Sequence, residues 1–443
     1  MSVTEPLPVD PDHDPDEDHD LHPAVRGGLA LWTLMLGFTM LMVGNGLNLA
    51  VLGIRMVDEG FDVRVSGIVM ASYFAGFLLG PVLVVRWLSS VGHIRVFASL
   101  ASAASCVVLV HFVWVNPVAW SGLRFVFGFC MAGLYVVVES WLNDASTSRT
   151  RGRTLAVYMI ASMGGLGLGQ LLVATGDPAE PGLFVVASIL VSLSFVPIAL
   201  AATTDAPPIR LSPKMRVREF LHVAPTGFVG ILFTGASHGI LLGLAAVYAT
   251  RAGFGPGATA AFLALPSIGA IVFQWPIGWA SDRLPRRGVI FAVAVAAAGM
   301  AAVLGMTPEG SAAALPMMFV LGGLTFPLYS LLLSHTLDRS PPGSAMGASG
   351  ASLRVNGVGA VIGPVVAGAV MGAAGETAFY WSLVATHALI ALFVIARVIS
   401  EDAVPLSRQG PFVPMPARAS EFAIRLTSRP LRASRERLRQ RAE

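Results

Sequence analysis

Charge is scarce in this chain. Of its 443 residues only 12% are Asp, Glu, Lys or Arg, and 55% are hydrophobic. A soluble domain carries about 25% charged residues, roughly twice as much. That shortage excludes an ordinary water-soluble globule and implies a polytopic membrane protein. Lysine is nearly missing: Lys214 is the only one, and arginine supplies the other positive charges. Cys106 and Cys130 are the two cysteines, both inside apolar runs. They read as small core residues, which excludes a disulfide framework or a cysteine-rich metal site. The chain has no Walker loop, no HExxH pair and no Cys-rich cluster, so neither ATP hydrolysis nor a catalytic metal is indicated, and no cofactor is expected. Nor does it open like a cleavable signal peptide, because residues 1–25 are acidic where a basic region is needed. Nothing points to a nucleic-acid partner.

What the chain has in abundance is long apolar runs. A membrane span takes about 20 apolar residues, and twelve such runs are present, near 29–53, 65–88, 94–115, 118–142, 153–175, 182–203, 223–249, 258–280, 288–307, 313–336, 346–371 and 378–398. Glycine recurs within them, as at Gly164, Gly165, Gly167 and Gly169, and small residues let helix backbones approach in lipid. The longest polar connection, 204–222, follows the sixth run. The predicted fold is an all-α membrane protein of twelve transmembrane helices in two pseudo-symmetric six-helix halves. Its expected divisions are an acidic tail (1–25), a first half (26–203), a linker (204–222), a second half (223–400) and a basic tail (401–443).

Arginine placement predicts the orientation. With the N-terminus inside, the inner loops hold Arg86 and Arg95, then Arg149, Arg151 and Arg153, then Arg210, Lys214, Arg216 and Arg218, then Arg283, Arg286 and Arg287, and finally Arg339. The outer loops hold only Arg55, Arg64 and Arg251. Both termini are therefore expected in the cytoplasm of a bacterial inner membrane. The acidic stretch Asp10–His22 reads as a solvated tail; metal binding by its histidines is the sharper alternative. After residue 401 the chain is proline-broken, then arginine-rich. Residues 419–441 read either as a basic helix on an anionic lipid leaflet or as a plain basic tail.

The stretch GWASDRLPRR (Gly278–Arg287) joins the eighth and ninth runs. One acid and three arginines in so short a loop suggest a conformational latch. The loop, the twelve spans and the 6+6 division resemble the major facilitator superfamily. Its signature loop runs roughly G-x-L-x-D-R-x-G-R-R. The match falls on Gly278, Asp282, Arg283, Arg286 and Arg287, with Pro285 where glycine is usual. The corresponding loop of the first half, Val85–Arg95, keeps Gly92 but has Ser89, Ser90 and His93 at the charged positions. Arg124 with Gly128 in span 4, and Gly359, Gly363 and Pro364 in span 11, are similar to the family's motifs. Glu139 followed by Arg151-Gly152-Arg153 is similar to the sugar-porter pattern. VVVESWLNDASTSRTRGR and QWPIGWASDR resemble the YcaD-like branch. The resemblance covers about residues 25–400 and implies transport by alternating access.

Charges inside spans cost roughly 2.5–3.5 kcal/mol on insertion scales, so they are functional candidates. Arg124 lies about 6 Å inside the outer end of span 4; it either binds an anionic group or snorkels to headgroups. Glu139, about 22 Å further along that helix, is either an inner-gate partner of Arg151 or Arg153, or a proton site. Arg354, roughly 12 Å into span 11, contacts substrate or gate, or else makes a structural ion pair or carbonyl cap. Asn45 and Asn48 share a face of span 1 and are candidate substrate ligands, as are Gln170, Gln274 and His238; an interhelix clamp is the alternative for the amides. His238 is also a proton-coupling candidate. Tyr73, Phe74, Tyr135, Tyr248, Phe326 and Tyr329 are candidate cavity aromatics. The expected partners are membrane lipids and a small organic solute, anionic or zwitterionic, carried by a monomer. A drug exporter, a lipid flippase and a non-transporting sensor are the competing readings.

Overall fold

The computed structural model describes residues 23–146, 150–201, 215–341, 343–400, 404–416, 418–419 and 423–424. Twelve helical spans form as the apolar runs predict. The first half holds α1 (Pro23–Asp58), α2 (Val63–Val91), α3 (His93–Val113), α4 (Pro117–Ala145), α5 (Arg151–Leu172), and a sixth span split into α6 (Gly182–Leu193) and α7 (Phe195–Ala201). A short helix, α8 (Val217–Val223), lies in the linker. The second half holds α9 (Pro225–Arg251), α10 (Pro256–Arg283), α11 (Arg286–Met306), α12 (Ala314–Arg339), α13 (Ala345–Ala374) and α14 (Ala378–Ser400). Caps and breakers explain the bounds. Asn116 accepts from the backbone N–H groups of Val118 and Ala119, and Pro117 opens α4 where its missing N–H is no loss. The outer flanks are apolar rather than charged: Trp275 is 75% and Leu392 63% exposed, as lipid-facing side chains require.

Strict alternation of the spans puts the α10–α11, α2–α3 and α4–α5 loops on one face, the latch face; the opposite one is the far face. The halves meet through α2 with α13, α5 with α10 and α1 with α9. The tight crossings lie toward the far face. A Cβ added at Gly67 would fall 2.4 Å from the Pro364 carbonyl oxygen, and one at Gly53 would fall 2.4 Å from Ala246. Arg64 also donates across the halves to the Gly372 carbonyl at 3.1 Å. The halves are thus packed closely against one another at the far face.

Candidate functional site

Between the halves lies a cavity of about 970 Å³, solvent at its mouth included. Its wall is mostly apolar: Phe74, Phe77 and Leu78 of α2, Met163 of α5, Leu242 of α9 and Phe326 of α12. The polar groups on it are His238, Arg354, Asn356 and Arg418; no carboxylate lines it among the described residues. His238 sits near the middle of α9, its ring stacked on Phe326 at 4.9 Å. Its Nε2 is 3.4 Å from the Thr325 carbonyl, and its Nδ1 has no partner. Arg354 lines the cavity but spends one nitrogen on the Met215 carbonyl at 2.8 Å, the carbonyl-cap reading. Of the expected cavity aromatics only Phe74 and Phe326 line it; Tyr248, for example, stacks on Phe379 at 4.9 Å instead.

Asn45, Asn48, Arg124, Gln170 and Gln274, expected as solute ligands, do not line this cavity. Asn45, Asn48 and Gln170 are buried in the helix interfaces, and both side-chain polar atoms of Asn48 lack partners. Gln274 donates to the Ser330 hydroxyl at 2.9 Å. Arg124 does not snorkel: it is 0% exposed, and none of its guanidinium nitrogens has a hydrogen-bond partner. It lies over the Tyr73 ring, 4.7 Å from the centroid. Glycines bring the two together. A Cβ at Gly128 would fall 1.9 Å from the Tyr73 carbonyl oxygen, and one at Gly76 would fall 1.9 Å from that of Phe125. The α2 and α4 backbones therefore touch, which presses the ring against the cation.

Glu139 is fully buried, and Tyr158 of α5 donates to its carboxylate. Arg151 donates to the Ser146 carbonyl at 3.4 Å, and Arg153 is exposed. A second acid is carried by a span besides Glu139. Asp338 ends α12, is 3% exposed, and pairs with the equally buried Arg286. Sequence reasoning counted only its neighbour Arg339 as a loop charge. The stretch LDR (337–339) closing an apolar run was the available signal.

The loop Gly278–Arg287 grips the chain's own C-terminal segment. Gly410 donates to Asp338 at 2.8 Å, and its carbonyl accepts from Arg286 at 2.7 Å. Phe412 N–H donates to Asp282 at 2.7 Å. Its ring lies where a Cβ at Gly278 would come within 2.6 Å. Arg286 also reaches the Ser281 hydroxyl at 2.9 Å and Asp282 at 3.8 Å. Arg283 stacks on Trp279, 4.4 Å from the ring centroid, and Arg287 donates to the Arg397 carbonyl at 3.2 Å. Further in, Val413 N–H donates to Ser334 at 3.0 Å, and Met415 exchanges two 3.0 Å bonds with Ser330. Arg418 ends up in the cavity wall, 5.3 Å from the Tyr73 ring centroid and 5.7 Å from that of Phe74. The reading of 419–441 as a lipid-surface helix meets a different placement at its start, because Ala419, Ala423 and Ile424 are buried in the bundle. Residues 425–443 and the acidic stretch 10–22 lie outside the described residues.

Comparison with known proteins agrees with this architecture. The Major Facilitator Superfamily pattern matches residues 34–355. An uncharacterised MFS-type transporter of Enterobacter sp. (strain 638) is 30% identical over 384 residues, covering 84% of this chain and 97% of its own. The MFS-type transporter YcaD of Salmonella enteritidis is 30% identical over 382 residues with the same coverage. Among solved structures, a point mutant of the nucleoside transporter NupG superposes with a TM-score of 0.69 at 17% identity, covering 83% of this chain and 99% of its own. A bacterial homologue of the human lysosomal transporter Spinster, inward-facing and unoccupied, gives 0.66 at 15% identity, with 92% and 98% covered. At such identities the structures speak for the fold alone. The sequence match over most of the chain decides the kinship: this protein belongs to the major facilitator superfamily, as a multi-pass membrane transporter.

Proposed function

We propose that the protein moves a small anionic or zwitterionic organic solute across the bacterial inner membrane by alternating access, as a monomer, with the latch face cytoplasmic. The observation that carries this reading is the charge of the cavity. Its wall presents Arg354 and Arg418 and no carboxylate among the described residues. Arg124 lies buried and without a hydrogen-bond partner behind Tyr73. An uncompensated cation in a low-dielectric wall draws an anionic group and disfavours a cationic one. Phe74, Phe77 and Phe326 would face the solute's apolar part. With the far face shut, the state is read as inward-facing; rocking the halves would close the latch face and open the other. Glu139 and His238 are the proposed proton-coupling groups. Asp282, Arg283, Arg286 and Arg287, with Gly278 and the Arg151–Arg153 loop, are the proposed inner gate.

The test is a thermal-shift screen of metabolites on purified protein, since a ligand of the folded state raises its melting temperature. Anionic or zwitterionic hits are expected, and Arg354→Ala should abolish their shift. Stabilisation, and uptake into liposomes, confined to lipophilic cations would overturn the proposed substrate class and favour an exporter of cationic drugs.

A further inference from the structure

We infer that the described residues of the segment 404–424 form a self-supplied bolt, which holds the bundle open toward the latch face while it is seated. The bonds of Gly410, Phe412, Val413 and Met415 go to the second half: to Asp282 and Arg286 beside the signature loop, and to Ser330, Ser334 and Asp338 on α12. The tip crosses to the first half, where Arg418 lies over Tyr73 and Phe74 of α2. One segment therefore bridges the two bodies whose relative motion constitutes transport. Val413, Met415, Ala419, Ala423 and Ile424 are buried.

The segment is built for such a seat. Pro411, Pro414 and Pro416 hold it extended, so less chain entropy is lost on docking. The residues between them, Phe412, Val413 and Met415, donate the backbone N–H bonds that the prolines lack. The seat also occupies the gate. Gly278 faces the Phe412 ring and Asp282 accepts its N–H, so the bolt covers Gly278 and engages the motif's acid. The tip is less settled than the anchor: Nε and Nη2 of Arg418 are buried without partners, which favours a reversible plug over a permanent part of the core. The inference rests on alternating access but not on any substrate class.

The experiment uses the full-length chain in liposomes, with Cys106→Ser to remove the exposed native thiol, and no solute. Met415→Cys should react with a water-soluble maleimide on the order of tenfold more slowly than the exposed control Ser90→Cys. Spin labels at Ser90→Cys and Leu284→Cys then read the width of the latch face. Phe412→Asp with Val413→Asp, which expels the segment, should add a shorter-distance population. A disulfide between Ser334→Cys and Val413→Cys, which pins it, should abolish that population. Fast labelling at 415 would show that the segment is not seated and overturn the inference. An unchanged label distance between the expelled and pinned proteins would overturn it too. Failure of the solute screen would leave both readouts standing.

Discussion

The two signature loops occupy equivalent places in the two halves and do different work. In Val85–Arg95, the Ser89 hydroxyl donates to the Arg86 carbonyl at 2.8 Å, and Ser90 to that of Trp87 at 3.1 Å. These bonds stay within their own helix end. Gly92, at φ +91° and ψ 161°, turns the chain, and His93 is tied to Ser140 at 3.1 Å. In Gly278–Arg287, Arg286 and Asp282 reach partners 52 to 130 residues away, on α12 and on the C-terminal segment. The first loop is a hinge between helices and little more. The second is a clamp, whose buried Arg286–Asp338 pair presents a docking edge to a third element. The turn is thus present in both loops and the motif's acid and arginine pair in one, and that one is where the C-terminal segment docks.

The sharpest break in this comparison is Arg286→Met. It removes the buried arginine paired with Asp338, a loss of about 3–5 kcal/mol for such pairs, seen as a clear fall in Tm of the purified protein. Adding Asp338→Leu should restore part of it, because an apolar pair removes the buried acid as well. The matching change in the first loop, His93→Leu, gives up one neutral hydrogen bond and should cost only about 1 kcal/mol. Equal losses from the two single changes would erase the asymmetry. Next come the glycines. Gly92→Ala forces a side chain into a backbone region close to glycine-only, at about 1–3 kcal/mol, with maleimide protection of Met415→Cys intact. Gly278→Ala should do the reverse, leaving Tm nearly unchanged while the new methyl displaces Phe412 and deprotects position 415. The smallest effect on stability belongs to Ser89→Asp with Ser90→Arg, which rebuilds the eroded copy on an exposed surface. Tm should move by less than about 0.5 kcal/mol equivalent, yet with the segment expelled the shorter 90–284 distance should gain population.

Much of the fold was legible because lipid imposes a pattern that local sequence must satisfy. Every span needs a long apolar run, so the α2 and α14 ranges could be placed to within a few residues. The split at Ser194 was not, because an interrupted helix keeps the same hydropathy as a continuous one. The site was less legible. His238 and Arg354 stood out as polar residues in apolar helices, and both reach the cavity wall. Asn45, Asn48 and Gln170 stood out equally and do not, because which helix face meets a cavity is a property of packing rather than of spacing. Asp338 sat next to an arginine at a helix end and looked like ordinary loop charge. Nothing in QGPFVPMPAR announces a seat on residues as far back as Asp282; its partners are set by three-dimensional proximity alone.

The position of that segment in the order of synthesis has a consequence for assembly. Every helix that forms its seat precedes it in the chain, so the twelve spans must insert and pack around a groove that is still vacant. The described residues of 404–424 follow the last span, so their seat, with the Phe412 ring against Gly278, can be taken only once the helices that form it exist.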